Sequence, residues 1–347
     1  MSPPIANAMN DAATVTPAQL ATLLSYTIKA HEPVLVVGAP GIGKTEIGKQ
    51  AAAAAGADLI IAHPVVDSPI DYKGLPFIAQ NGDARFVPYG FLKAMINAKK
   101  LTVVMLDDLG QAPPAVQAAS MQLLLERSIN GQRISDHVVF VACTNGKQHK
   151  ANVSGMLEPV KSRFCTIVEL VPDLNSFIKW YLGTDLPITP ASFTRFRPDY
   201  LHDFKATADM TNSPCPRTLE KMAKLVAMNL PSDLRFAAYS GAVGKACATE
   251  YLAFEEMADK MVDPSVIIMR PADSQVPTSP DGLYATCLGV AAQAHEDNID
   301  AIDIYGRRLP ADFRAMLMDD IIRKDESLVR TKVFQKFFSE NHTKHLV

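Results

Sequence analysis

The feature that most constrains this chain is the octet Gly38-Ala39-Pro40-Gly41-Ile42-Gly43-Lys44-Thr45, which fits GxxxxGK[ST]. It follows the β-branched run Val34 to Val37 and opens an Ala-rich segment with helical character from Thr45. An ordinary glycine turn can match the bare pattern, but it does not require a strand before it and a helix after it. In that context the glycines let successive backbone N–H groups face inward around phosphates. The lysine brings a positive point charge to β and γ oxygens, and the threonine hydroxyl suits Mg²⁺. The candidate nucleotide-binding residues are therefore Gly38, Ala39, Pro40, Gly41, Ile42, Gly43, Lys44, Thr45 and the adjacent Glu46.

The surrounding sequence supplies the sheet that such a loop needs. Apolar runs at Leu59 to Ile61, Val103 to Leu106 and Val138 to Ala142 alternate with helical patterns, as in a parallel sheet covered by helices on both faces. Thr16-Pro17-Ala18-Gln19 has the cap hydroxyl, early proline and reciprocal Gln of a helix start, and Leu20, Leu23, Leu24 and Ile28 continue at helical spacing. Asn81-Gly82 and Asn130-Gly131 each predict a β-hairpin, because both residue types tolerate positive φ. Past about Leu170 strand-like runs give way to helical ones. The expected organisation is a flexible tail over 1–15, an α/β nucleotide-binding domain over 16–170, a helical lid over 171–263 and a helical C-terminal extension over 264–347. Within these, 241–250 reads as a helix, 264–281 as a proline-rich connector, and 311–322 and 328–338 as the last helices.

Two carboxylates leave the strand Val103 to Leu106 at its C-terminal end, where ligands sit in open α/β sheets. Asp107 is placed to hold hydrated Mg²⁺ and Asp108 to orient or deprotonate a lytic water. A solvated turn is the alternative, and the phosphate loop argues against it. The strand Val138 to Ala142 leads to Asn145, whose amide can bridge to a γ-phosphate or to water, or can simply form the turn before Gly146. Ser176-Phe177-Ile178-Lys179 fits SxxK without its companion motifs, so Ser176 reads as part of a helix start after Asp173. His295-Glu296-Asp297 reads as a solvated helix end rather than a metal site.

Composition sets outer limits on function. With 48% hydrophobic and 20% charged residues the chain can bury a core, and 34 Lys+Arg against 37 Asp+Glu argues against a nucleic-acid backbone as the primary ligand. The five cysteines, Cys143, Cys165, Cys215, Cys247 and Cys287, form no CxxC pair and suggest reduced thiols. No run of ~18 apolar residues or basic leader is present, so the expected setting is cytoplasmic, without a membrane span.

The order of phosphate loop, Asp107-Asp108, Asn145, Ser162-Arg163-Phe164 and Pro216-Arg217 resembles the AAA+ ATPases. Within them, the stretch from Leu106 through Ala112-Pro113-Pro114 to Gln117 is similar to the MoxR-type group. The resemblance implies a P-loop α/β domain with an all-α lid and helical extension. It makes Gly38 to Thr45 the Walker A loop, Asp107 and Asp108 the Walker B pair, and Asn145 the first sensor. Arg163 becomes a finger into a neighbouring subunit's nucleotide and Arg217 the second sensor on the lid; from the residues alone, both arginines read equally as surface ion-pair partners. The hairpin at Asn81-Gly82 corresponds to an insertion between the Walker motifs and is a candidate partner-facing element. One position departs from the family: Asp108 stands where glutamate is usual, and the shorter reach points to slow or partner-dependent hydrolysis.

The function this implies is a ring-forming ATPase, of hexameric type, that couples Mg·ATP hydrolysis to remodelling or activation of a protein client, with a von Willebrand A domain adaptor as the expected partner. Three other readings stay open: a nucleotide-gated scaffold with little hydrolysis, a nucleic-acid loader or motor, and a small-molecule P-loop kinase. The kinase reading leaves Asn145, Arg163 and Arg217 without roles.

Overall fold

In the computed structural model of the chain, the described residues are 13–146, 155–205, 207 and 209–342. They fall into compact units Met1–Pro172 and Asp173–Val347. The first unit runs β1 (Ala13–Val15), α1 (Pro17–Lys29), β2 (Val34–Gly38), α2 (Lys44–Ala54), β3 (Asp58–Ala62), α3 (Pro69–Lys73), β4 (Leu75–Ile78), β5 (Ala84–Val87), α4 (Gly90–Ile96) and β6 (Thr102–Leu106). It continues with α5 (Pro114–Glu126), β7 (Ser128–Ile129), β8 (Gln132–Arg133), β9 (Val138–Thr144), α6 (Glu158–Lys161) and β10 (Thr166–Leu170).

Its six-stranded sheet has the order β1-β10-β2-β9-β6-β3, and every pairing is parallel. The continuous apolar runs of β2, β6 and β9 are explained by burial on both faces. Successive side chains point to opposite sides. Val34 and Val36 of β2, Val103 and Met105 of β6, and Val139, Val141 and Cys143 of β9 join one core with Leu20, Leu24 and Ile28 of α1 and Ile47, Ala51 and Ala52 of α2. Their neighbours Leu35, Val37, Val104, Leu106, Phe140 and Ala142 join the opposite core, with Tyr72 of α3, Leu92 and Met95 of α4, and Val116, Ala119 and Leu123 of α5. The α/β fold expected from the sequence is therefore present, with helices on both faces of a parallel sheet.

Helix α1 starts where its capping signal lies. Thr16 Oγ1 accepts from the Gln19 amide at 3.3 Å, and the Gln19 carboxamide oxygen accepts from the Thr16 amide at 2.9 Å. The end of the span expected as a tail, 1–15, forms a strand. Ala13–Val15 pair with Val168–Leu170 as an edge strand, and residues 1–12 lie outside the described residues. This strand is held by backbone pairing, so it needs no apolar pattern of its own.

Both Asn-Gly hairpins are formed. β4 pairs antiparallel with β5 across the loop at Asn81-Gly82, and β7 with β8 across Asn130-Gly131, where both residues have positive φ (50° and 75°). The hairpins are tied together: Gln132 Nε2 donates to the Phe86 carbonyl at 2.6 Å and Asn130 Nδ2 to the Lys73 carbonyl at 2.9 Å.

The second unit contains α7 (Leu174–Leu182), α8 (Thr189–Phe196), α9 (Pro216–Ala227), α10 (Ser232–Val243), α11 (Lys245–Ala258), α12 (Pro264–Met269), α13 (Pro280–Ala292), α14 (Ile299–Gly306), α15 (Ala311–Lys324) and α16 (Lys332–His342). Asp173 caps α7, its Oδ2 accepting from both the amide and hydroxyl of Ser176 at 2.7 Å. One core gathers Phe193, Tyr239, Tyr251 and Phe254, another Tyr305, Leu317, Ile321 and Phe334. Helix α13 serves both, giving Leu288 to the first and Leu283, Cys287 and Val290 to the second, within the compact unit Asp173–Val347.

The sequence differs from the structure at two further places. The helix expected over 241–250 is interrupted, because Gly244 takes φ 82° and separates α10 from α11. The expected connector 264–281 begins with a short helix, α12, which Asp263 caps by accepting from the Ser265 amide at 2.7 Å.

Candidate functional site

The sheet register brings the candidate residues to one edge. Val37 lies opposite Thr144, and Leu106 opposite Ala142. Gly38, Asp107, Asp108 and Asn145 therefore all emerge at the C-terminal ends of adjacent parallel strands.

Between β2 and α2 the loop turns through Gly41 and Gly43, with φ of 77° and 99°. Side chains with a Cβ rarely adopt such values, and glycine does so at little cost. Gly43 is also the N-cap of α2 and has no side chain to satisfy the first-turn amides, which lack intrahelical acceptors. An uncapped helix start behind a glycine loop is a fit for phosphate oxygens, since both the free N–H groups and the helix dipole favour negative charge.

The lysine inside this loop is only 7% exposed, and its ammonium is satisfied by oxygen acceptors. Lys44 Nζ donates to the Gly38 carbonyl at 3.0 Å, the Ala39 carbonyl at 2.9 Å and Asn145 Oδ1 at 2.8 Å. Beside it, Thr45 Oγ1 donates to Asp107 Oδ1 at 3.0 Å. Among the described residues no three His, Cys, Asp or Glu side chains gather as a metal site. One hydroxyl and one carboxylate nonetheless fit Mg²⁺, which is commonly held by one or two protein oxygens together with substrate phosphates and water.

Asp108 begins a tight turn after β6. Its φ is 57°, a left-handed value that Asp tolerates better than most residues, and the 3₁₀ turn Leu109–Gln111 follows. Asp108 Oδ1 accepts from Asn145 Nδ2 at 3.3 Å and from Gln111 Nε2 at 3.1 Å. In turn, Thr144 Oγ1 lies 3.3 Å from Gln111 Oε1 and 3.3 Å from the Asn145 carbonyl. Cys143, behind this row in the core, is fully buried; burial and the nearby Asp107 carboxylate push its thiol up to about 12, so it stays neutral.

Direct hydrogen bonds thus link Thr45 to Asp107, and Lys44 through Asn145 to Asp108. Glu46 stands apart on the exposed side of α2, where Lys49 lies 3.7 Å away. Arg163, between α6 and β10, is half-buried, and its Nε is buried without a hydrogen-bond partner; among the described residues no hydrogen bond links it to the cluster. Arg217 is an exposed first-turn residue of α9 and belongs to the second unit. Sequence reasoning did not single out Gln111 or Thr144. Their signal is faint: a Gln three residues after an acid, and a Thr at a strand end.

Residues 33–164 match the family of the AAA domain, dynein-related subfamily. No curated protein matches the chain in sequence. Among solved structures, the chain is similar to RuvB of Thermotoga maritima, a Holliday junction branch migration motor, at 17% identity over 82% of this chain and 83% of that one, with a TM-score of 0.39. It is also similar to NtrX of Brucella abortus in complex with ADP, at 16% identity over 90% of this chain and 68% of that one, with a TM-score of 0.38. No helix among the described residues is long and apolar enough to cross a membrane. Residues 33–164, which match the AAA domain family, thus carry the glycine loop and most of the parallel sheet, and an all-helical unit follows them in the chain.

Proposed function

We infer that the chain is a MoxR-type AAA+ ATPase that hydrolyses Mg·ATP and assembles into a ring, of hexameric type, to remodel a partner protein. The observation that carries the reading is the pair of hydrogen-bonded links at one sheet edge, Thr45 to Asp107 and Lys44 through Asn145 to Asp108. Loop amides and Lys44 would bind the β and γ phosphates, and Thr45 and Asp107 would hold the substrate's Mg²⁺. There the ion would supply charge neutralisation at the phosphate oxygens. Asp108 would orient water in line with the γ-phosphorus and take its proton, yielding ADP and inorganic phosphate. Asn145 would report phosphate occupancy, because Lys44 Nζ is shared between its amide oxygen and the loop carbonyls.

Arg163 would complete the nucleotide site of a neighbouring subunit, and Arg217 would contact nucleotide from the helical unit. A guanidinium suits both roles because it is always charged and forks onto phosphate oxygens, and a finger contributes ~10³–10⁵ in rate. The unpartnered, buried Arg163 Nε supports an unfilled role for that side chain. The β4–β5 hairpin supports a partner-facing role, since Phe77 is 50% and Ile78 74% exposed. A von Willebrand A domain adaptor is the partner that the MoxR resemblance favours.

The test is phosphate release from Mg·ATP per chain as protein concentration rises from ~10 nM to tens of micromolar, a range that spans typical subunit affinities. Turnover per chain that climbs and saturates supports sites completed between subunits. Turnover that stays flat while sizing shows a monomer throughout contradicts the ring and the trans role of Arg163.

A further inference from the structure

Asp108 is a short acid for the task assigned to it, so the groups that hold its carboxylate decide where it points. We propose that Gln111, itself fixed by Thr144, is a positioning residue that aims the Asp108 carboxylate at the lytic water. This rests on the ATPase reading above and deepens it.

The turn after β6 makes the contact possible. With Asp108 at φ 57°, the chain reverses at once, and the Gln111 amide donates to the Asp108 carbonyl at 2.9 Å. The Gln111 side chain then folds back on the residue that starts its own turn, and Nε2 reaches Asp108 Oδ1 at 3.1 Å. Its amide orientation follows from its neighbours: Nε2 donates to the Asp108 carboxyl oxygen, which places Oε1 beside the Thr144 hydroxyl, whose proton it shares with the Asn145 carbonyl at the same 3.3 Å. Thr144 is 6% exposed, and room for its hydroxyl exists because residue 110 is glycine; a Cβ there would stand 2.2 Å from Thr144 Oγ1.

Asn145 donates to the same oxygen but has a second commitment. Its Oδ1 accepts from Lys44 Nζ at 2.8 Å, an ammonium for which nucleotide phosphates compete. Gln111 instead leans on Thr144, a neutral hydroxyl for which phosphates have no charge-based competition. Gln111 is therefore the restraint that persists through the nucleotide cycle, and Asn145 the one that changes. Both donors act on Oδ1.

The experiment uses the full chain at a concentration where turnover per chain has saturated. It measures kcat and KM for Mg·ATP, and the equilibrium affinity for Mg·ADP, in wild type, Gln111→Leu, Thr144→Val, Thr144→Ser and the Gln111→Leu/Thr144→Val double variant. Gln111→Leu and Thr144→Val are expected to lower kcat at least about tenfold, as a misaimed carboxylate does, with KM and Mg·ADP affinity within about twofold of wild type. Thr144→Ser keeps the hydroxyl and restores most of kcat, and the double variant loses no more than Gln111→Leu alone, because the two residues act as one unit. Wild-type kcat in Gln111→Leu overturns the proposal, as does a loss shared equally with Mg·ADP affinity, or Thr144→Ser as slow as Thr144→Val. If Gln111→Leu does not fold, the Thr144 pair decides the question. A wild type that binds Mg·ADP and releases no phosphate at any concentration contradicts the ATPase reading itself and removes this proposal with it, an outcome distinct from a normal wild type with an unaffected variant.

Discussion

At the scale of single residues, Lys44 carries the most information. A buried ammonium is costly unless its protons are satisfied, and here it is held among the Gly38 and Ala39 carbonyls and the Asn145 amide oxygen. Phosphate oxygens are stronger partners for that charge than neutral carbonyls. Lys44→Ala is expected to weaken Mg·ATP binding by about 10–100-fold, the equivalent of ~1.5–3 kcal/mol for a hydrogen bond to a charged group, as read by titration with a fluorescent ATP analogue. Binding unchanged in the variant would contradict the placement of phosphates on this loop. Lys44, Thr45, Asp107 and Asp108 were legible in the sequence because their spacing to flanking strands is fixed by the chemistry. Gln111 and Thr144 were not, since their meeting depends on a left-handed φ at Asp108 and on the missing side chain at Gly110, neither of which leaves a periodic trace.

Among the elements, the β4–β5 hairpin has the most instructive support. Its own side chains are exposed, so its placement depends on its base rather than on a core. There Asp71 of α3 accepts from the Ser68 amide at 2.7 Å, the Ser68 hydroxyl at 2.9 Å and the Tyr89 hydroxyl, which lies just beyond β5. Burial works against the Asp71 charge, but the Tyr89 and Ser68 donors outweigh it and hold the carboxyl below its ordinary value of 3.8. A lowered carboxyl contributes stability that is present above the ordinary value and lost as pH falls through the lowered one. Tyr89→Phe is therefore expected to reduce stability at neutral pH, with the gap from wild type closing as the pH is taken below that range, measured by urea unfolding across pH. A gap that is constant in pH would show that the Asp71 contact is not its source.

The same contrast explains which elements could be read in advance. β2, β6 and β9 are buried on both faces, and full burial writes itself as an unbroken apolar run. The Asn-Gly hairpins and the Thr16 cap were legible because specific residues are needed at specific φ or hydrogen-bond positions. β1 was not, because a three-residue edge strand pairs through its backbone. The break at Gly244 was missed because the apolar spacing of α10 runs on into α11, and a single glycine within such a pattern is compatible with either a continuous helix or a stop.

For the whole molecule, the sequence indicated a nucleotide domain followed by a helical region, and the structure has an α/β unit to Pro172 and a helical one from Asp173. Within the all-helical unit α13 is buried nearly all round and serves two cores at once, and such a helix shows no amphipathic stripe to mark where one layer ends. What the molecule does with these parts turns on whether the residues at the sheet edge perform hydrolysis. The decisive measurement is phosphate release from saturating Mg·ATP by wild type and by Asp108→Asn at the same high protein concentration, with ATP binding followed in parallel. The account predicts steady release by wild type, and a variant that binds ATP as well but releases phosphate at least about 100-fold more slowly, the scale of losing a positioned general base. Equal release by the two proteins would contradict it.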